Sequence, residues 1–484
     1  MSKLITDELN YMQIANAIRD KSFGSSTYLP SEMAAAIMGL GGIENGTIQQ
    51  VTAGSTAIPA NTFIQMDPTW YTGYYSTVDK TTVSPATAYS GLSYPKVIKL
   101  SDSKSLVAYL SGNPSSSLSI RFRICSMSGT TITPGSEVSQ AGLVVPNGGG
   151  AYWDVIKIND LTSIAIYSTS YNGDVNCFAI DTSGNTPQLG STVTISQGTS
   201  VFNASCAAKI DSNHVAVVYT NNNKVYIKIL TVSGANVTVS SETQILSSVE
   251  GAMRGGTCLI PLSSTHLAFV GGGYNSNDRW AQSIVDMTVS GTTVTVNGFS
   301  YITNASSGYN GSEGYTNYYV ISETRALVAW PMSTNAYVYL YDFSQNTASQ
   351  ISNLSLPASG ANSSYRMNIM RISDTEFCVR CGGPSNSGQS LRKISYNETA
   401  GTISSVAYTY ITNLDSTSAY CGETIQLDDD GFMSVYSGGN QLTMGYLYRE
   451  PRYAVASTDR IDGVTAEPIA ASGTGDVWLL NQGS

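Results

Sequence analysis

Along most of the chain the apolar positions fall into one recurring pattern. A short apolar run is followed by a polar four-residue turn, then by a second apolar run that often ends in an aromatic. Copies run from Val97 to Tyr109, Val155 to Tyr167, Ala207 to Tyr219, Leu259 to Gly271, Tyr318 to Trp330, Met370 to Cys381 and Thr424 to Tyr436. The last apolar residue before each turn is Leu100, Ile158, Ile210, Leu262, Ile321, Ile372 or Leu427, and these anchors recur at intervals of about 51 to 59 residues, a spacing typical of propellers and solenoids. Nine residues beyond each anchor stand Tyr109, Tyr167, Tyr219, Gly271, Trp330, Cys381 and Tyr436, so an aromatic recurs at one register.

A third strand and a hairpin into a fourth follow in most copies, marked by Ser128-Gly129, Ser233-Gly234 and Ser290-Gly291 between apolar runs. Glycine there supplies the positive φ of a tight hairpin. Each repeat is therefore a four-stranded antiparallel sheet, which cannot bury both faces by itself. Stacked neighbours closed into a ring leave only short, protected edges. The seventh copy lacks a fourth strand, because Gln441–Arg449 runs into Glu450-Pro451, whereas a fourth-strand-like segment from Val78 lies upstream of the first copy. The pattern predicts a mainly β chain: a seven-bladed β-propeller over 76–450, closed by that N-terminal strand, with an open solenoid as the alternative.

The ends differ. Leu4, Tyr11, Ile14 and Ile18 lie on one face at helical spacing, and Met33, Ile37 and Leu40 repeat the pattern after Pro30. Two short amphipathic helices follow, and their apolar stripes need a partner for attachment or oligomerisation. The predicted organisation is a helical segment over 1–45, a linker or short β segment over 46–75, the propeller, and a small β tail over 451–484.

Composition narrows the partners. The charge is −10, with 34 acidic against 24 basic residues and no basic run, which excludes nucleic acid and anionic membrane as expected partners. Only 12% of residues are charged, a balance suited to neutral, hydroxyl-rich ligands such as glycans. Seven scattered cysteines argue against a fully paired disulfide framework. No signal peptide and no membrane-spanning run is read from the sequence, so synthesis in a cytoplasm without membrane insertion is expected.

Ile14-Ala-Asn-Ala-Ile-Arg-Asp-Lys-Ser and Tyr28-Leu-Pro-Ser-Glu-Met-Ala-Ala-Ala-Ile resemble an N-terminal motif of tail proteins from phages of Gram-positive bacteria, which reads IANAIREKTG…YTPSEMPAAI. The chain departs at Leu29, where the family often has a capping threonine, and at Ser22-Phe23, where Thr-Gly is usual. The resemblance implies a virion tail context, contacts with other tail or baseplate proteins and, by analogy with fibres, a trimer.

Catalytic chemistry is sparse. The two histidines, His214 and His266, stand four residues after successive anchors, on different blades, so neither a shared metal site nor a triad is expected. Asp428-Asp429-Asp430 occupies a turn, and the Ser-x-Asp-x-Gly-x-x-Trp box of sialidase-type propellers is absent. Cys378 and Cys381 lie three apart on a strand and so point to opposite faces. The expectation is no metal, no cofactor and no enzyme.

In an antiparallel blade the second-to-third-strand loops and the loops entering the next first strand share one end of the ring. That end gathers Tyr152, Trp153, Tyr171, Asn172, Tyr274, Asn275, Asn277, Arg279, Trp280, Tyr315, Tyr365 and Arg366. Aromatic platforms beside amide and guanidinium donors suit sugar rings. The expected role is recognition of a host cell-surface polysaccharide; a structural tail or decoration protein and a polysaccharide-degrading enzyme are the alternatives.

Overall fold

In the second strand of the first repeat, Leu106, Val107, Ala108, Tyr109 and Leu110 are all buried. Such continuous burial, rather than alternation, is what a sheet covered on both faces requires. The same holds for Ile164–Tyr167, Val215–Tyr219, Leu267–Val270 and Ala326–Ala329. Each sheet is thus sandwiched between neighbours.

The computed structural model describes residues 47–53, 63–66, 75–83, 95–113, 117–128, 131–143, 153–169, 173–197, 206–222, 224–247, 257–274, 280–303, 317–332, 335–345, 348–357, 367–371, 374–381, 390–410, 419–420, 423–427, 431–438, 441–449, 453–456, 463–465 and 474–479. They belong to two compact units: Tyr75–Tyr448, and the two flanking segments Met1–Tyr74 with Arg449–Ser484.

In the larger unit the described residues form seven antiparallel sheets. Sheet 1 is Lys96–Ser101, Lys104–Asn113, Ser117–Ser128 and Thr131–Leu143 in order. Sheets 2 to 6 repeat this meander, beginning at Trp153–Lys157, Cys206–Lys209, Thr257–Ser263, Asn317–Ser322 and Asn368–Arg371. Sheet 7 pairs Gly431–Gly438 with Gln441–Arg449, and its outer strand is Tyr75–Val83, from the N-terminal side of the whole array. The upstream segment beginning near Val78 therefore joins the last sheet, as its likeness to a fourth strand predicts.

Successive first strands touch one another from sheet to sheet, and Thr424–Gln426 of sheet 7 touches Lys96–Ser101 of sheet 1. The ring is closed there by side chains as well. Val97 N–H donates to Glu423 Oε2 at 3.1 Å, and Val97, Tyr109 and Met127 form one apolar cluster with Leu427, Met433 and Met444. Equivalent clusters fill the junctions of sheets 1 and 2, 2 and 3, 3 and 4, 4 and 5, and 5 and 6. This is a β-propeller, its first strands innermost.

The repeat register carries packing. Tyr109, Tyr167 and Tyr219 are all buried between sheets, and each keeps a polar partner for its hydroxyl, as Tyr219 does by donating to Glu242 Oε2 at 2.7 Å. The side chains of Trp330, Cys381 and Tyr436 lie outside the described residues. Gly234 and Gly291 take φ +58° in their hairpins, as the Ser-Gly signal predicts. Two further glycines serve close approach: a Cβ on Gly135 would lie 2.8 Å from the carbonyl oxygen of Asn185, and one on Gly190 would lie 2.8 Å from that of Ala235. In each pair the hairpin of the following sheet presses on the preceding one.

The smaller unit holds a closed five-stranded barrel of Thr47–Ala53, Tyr453–Ala456, Phe63–Met66, Gly463–Thr465 and Thr474–Leu479. The segments expected as a linker and a separate tail are thus interleaved in one barrel, with Thr47–Ala53 antiparallel to Thr474–Leu479 and parallel to Tyr453–Ala456. The expected helices over 1–45, with Leu4, Tyr11, Ile14, Ile18, Met33, Ile37 and Leu40, lie outside the described residues.

Candidate functional site

Strand direction divides the ring into two ends. The connections between consecutive sheets, residues 144–152, 197–205, 247–256, 304–316, 358–367 and 411–418, all leave at one end. The turns between first and second strands leave at the other, and several are as short as Asp102-Ser103 and Glu323-Thr324.

Of the residues predicted to form a ligand face at the long-connection end, Trp153 is fully described, and its role is corrected. It opens the first strand of sheet 2, but its side chain is completely buried in the cluster with Phe122 and Phe178. A buried indole offers no platform to a sugar. Its sequence context, one residue before an acid on an inner strand, matches a core position as well as a loop position. Tyr274 and Trp280 face each other as the closing pair of two strands in sheet 4, which brings them together; their side chains lie outside the described residues. So do Tyr152, Tyr171, Asn172, Asn275, Asn277, Arg279, Tyr315, Tyr365 and Arg366.

Among its described residues the short-turn end carries polar chemistry that no local sequence pattern announces. Lys157 Nζ donates to the carbonyl oxygen of Leu100 in the preceding sheet at 2.7 Å, and Lys99 Nζ donates likewise to that of Leu427. Both lysines stand one residue before an anchor, so the repeat itself encodes this bridge. Each also holds an aspartate of its own turn, Lys99 with Asp102 and Lys157 with Asp160, both at 2.8 Å. The hydrogen bonds from Lys99 and Lys157 hold the two carboxyl groups below the usual carboxylate range.

Four residues after the anchor, at the start of the second strand, a polar or charged side chain in three sheets pairs with one on their own third strand. His266 Nε2 lies 2.7 Å from Asp286 Oδ2, whose other oxygen accepts from Asn297 Nδ2 at 2.7 Å. Arg325 Nε donates to Asp342 Oδ2 at 3.1 Å, and Glu376 Oε1 lies 2.7 Å from Lys393 Nζ. His266 is held by a buried carboxylate on a neighbouring strand. His214 does close its turn, with Nδ1 2.8 Å from Asp211 Oδ2.

Sheet 1 carries a further polar group near its outer edge. Tyr109 donates to Glu137, and Arg121 and Arg123 flank the same carboxylate, Arg123 Nη2 at 3.0 Å. Burial alone raises the Glu137 carboxyl, but Tyr109 and the two guanidiniums outweigh it and hold the group below its ordinary value. Burial pushes the Cys125 and Cys177 thiols up to about 12, which keeps them protonated and unreactive. Cys206, Cys258 and Cys378 are also buried.

No protein-family model matches the chain, and no curated protein matches it. Solved structures do. The BP39L lectin from Burkholderia pseudomallei is similar over 76% of this chain and 99% of its own, with 10% identity and a TM-score of 0.52. The β-propeller domain of the trilobed protease from Pyrococcus furiosus is similar over 73% of this chain and 95% of its own, with 7% identity and a TM-score of 0.38. A putative 6-phosphogluconolactonase from Bacteroides fragilis is similar over 74% of this chain and 93% of its own, with 10% identity and a TM-score of 0.41.

The likeness to the BP39L structure is one of fold, and it agrees with the β-propeller formed by the seven sheets. The expectation that the chain is not an enzyme is withdrawn, because neither the fold nor a sparse histidine count excludes catalysis. Among the described residues no helix is long and apolar enough to cross a membrane.

Proposed function

We propose that this chain is a carbohydrate-binding β-propeller carried by the tail of a phage or a phage tail-like particle, where it recognises a polysaccharide of the host cell surface. The observation that carries the reading is the division of the ring: strand direction sends the long inter-sheet connections to one end, while the described turns at the other, such as Asp102-Ser103 and Glu323-Thr324, are short. Long variable connections on a rigid scaffold are where recognition residues are held. The BP39L structure, a lectin on the same fold, supports a glycan as ligand.

The tail context rests on the N-terminal motif over Ile14–Ile37. On this reading the N-terminal segment attaches the protein to other tail or baseplate proteins, and trimerisation, by analogy with fibres, multiplies weak single sites into avid binding. The protein is made in the bacterial cytoplasm and acts at the cell surface as part of the virion.

The test is adsorption. Purified full-length protein, labelled with a fluorophore, is mixed with host cells before and after chemical removal of surface polysaccharide. Saturable binding that disappears with the polysaccharide is the expected result. Equal binding to stripped cells would overturn the glycan assignment, and absence of the protein from purified particles would overturn the tail assignment.

A further inference from the structure

A cavity of about 570 Å³ opens at the short-turn end between sheets 1 and 2, lined by Lys99, Lys104 and Lys157 together with Asp102, Asp160 and Thr182. Its size is that of a small-ligand pocket. Two of the three ammonium groups are already committed, since Lys99 and Lys157 bridge to carbonyls of the preceding sheet and hold Asp102 and Asp160. Lys104 is different.

Lys104 occupies the register position of His266, Arg325 and Glu376, at the start of a second strand. In those sheets the charged partner comes from the third strand, either directly across, as Asp342 lies from Arg325, or two residues earlier, as Asp286 and Lys393 do. In sheet 1 the residue directly across is Ser126 and the one two earlier is Ile124. Neither can neutralise an ammonium group. Lys104 therefore brings to the cavity a cation that the third strand of its own sheet does not balance. Beside it, Thr182 is 2% exposed, and its Oγ1 is buried with no hydrogen-bond partner among the described residues. A buried hydroxyl without a partner is costly unless something fills the place.

We infer that this cavity is a binding site for a monosaccharide-sized polyol bearing one carboxylate or phosphate. The anionic group pairs with Lys104, a ligand hydroxyl satisfies Thr182 Oγ1, and the carboxylates of Asp102 and Asp160 accept from further ligand hydroxyls. The site lies at the opposite end of the ring from the proposed polysaccharide face and is independent of it.

The full-length protein is titrated by calorimetry with glucuronate, glucose 6-phosphate, glucose and inorganic phosphate. Glucuronate or glucose 6-phosphate is expected to bind saturably, with glucose and inorganic phosphate each weaker by roughly tenfold or more, since a charge-assisted hydrogen bond carries about that factor. Lys104→Gln is expected to weaken the anionic ligands by roughly tenfold and Lys104→Arg to retain them, with Thr182→Val, isosteric and so preserving the packing, weakening them as well. Three results would overturn the inference: no saturable binding of either anionic sugar, glucose binding as tightly as glucuronate, or Lys104→Gln binding as the parent does. Inorganic phosphate binding as tightly as glucose 6-phosphate would overturn the polyol part. Adsorption to host cells is expected to be unchanged in Lys104→Gln, so failure of this site and failure of the polysaccharide reading are told apart.

Discussion

The ammonium of Lys157 reaches out of its own sheet and donates to the carbonyl oxygen of Leu100 in the sheet before it, at 2.7 Å. Leu100 and Lys157 come from successive copies of the repeat, and Lys99 makes the same bridge one step back to Leu427. The junction of two sheets is thus tied at its inner rim by a residue whose place is set by the repeat. Apolar clusters between sheets provide most of the adhesion; the lysine fixes the register of one sheet on the next.

Replacing Lys157 by methionine keeps most of the apolar stem and removes the bridge. The expected loss is about 1–2 kcal/mol, because the donor is charged but partly exposed. Urea unfolding of the parent and Lys157→Met proteins measures it. The slope of the transition should stay the same while the midpoint falls.

Trp153 fills the junction of sheets 1 and 2 with zero exposure. Trp153→Ala is expected to cost about 3–5 kcal/mol, the usual range for emptying a buried aromatic site. Thermal unfolding reads this directly. Any loss of cell binding in this variant should track loss of folded protein, whereas a variant of Trp280, on the strand end opposite Tyr274, tests recognition.

Two glycines should respond differently to the same change. At Gly190 a Cβ would press on the backbone oxygen of Ala235 in the next sheet, so Gly190→Ala is expected to cost about 1–3 kcal/mol through overpacking. At Gly291 a Cβ meets nothing within 4 Å, but φ is +58°, so Gly291→Ala should cost about 1–2 kcal/mol through backbone strain alone. Asparagine tolerates that conformation. Gly291→Asn should therefore recover most of the loss, and Gly190→Asn should not.

The Tyr109–Glu137 pair predicts stability limits at both ends of the pH scale. Glu137 has a depressed folded pKa, so its contribution is present above its unfolded value near 4.5 and is lost as pH falls through the folded value. Burial pushes Tyr109 up to about 12, with Arg123 lowering and Glu137 raising it. Its contribution is present below 10 and is lost as pH rises towards 12. Unfolding midpoints measured against pH should show a shallower acid limb in Glu137→Gln and a shallower alkaline limb in Tyr109→Phe.

The repeat was legible because sandwiched sheets demand continuous apolar runs, and because Leu100, Ile158, Ile210, Leu262 and Leu427 are buried at the turns that end the first strands. The closing strand was legible too, since a fourth strand missing after Arg449 had to come from elsewhere and a matching segment stood before the first copy. Interleaving of Thr47–Ala53 with Thr474–Leu479 was not, because pairing across nearly the whole chain leaves no local pattern. The buried position of Trp153 was missed because an aromatic beside a glycine-rich stretch reads equally as a loop platform. The Lys157 and Lys104 roles depend on which carbonyl or carboxylate a neighbouring sheet presents, and one repeat examined alone does not contain that information.

The central claim is that the end of the ring carrying the long connections binds surface polysaccharide. Surface plasmon resonance of the full-length protein over immobilised, purified host-cell polysaccharide tests it most directly, with Trp280→Ala and Lys104→Gln as paired variants. The account predicts saturable binding, competed by free oligosaccharide, weakened in Trp280→Ala and unchanged in Lys104→Gln. Binding that is absent in the parent, or lost with Lys104 and indifferent to Trp280, would contradict it.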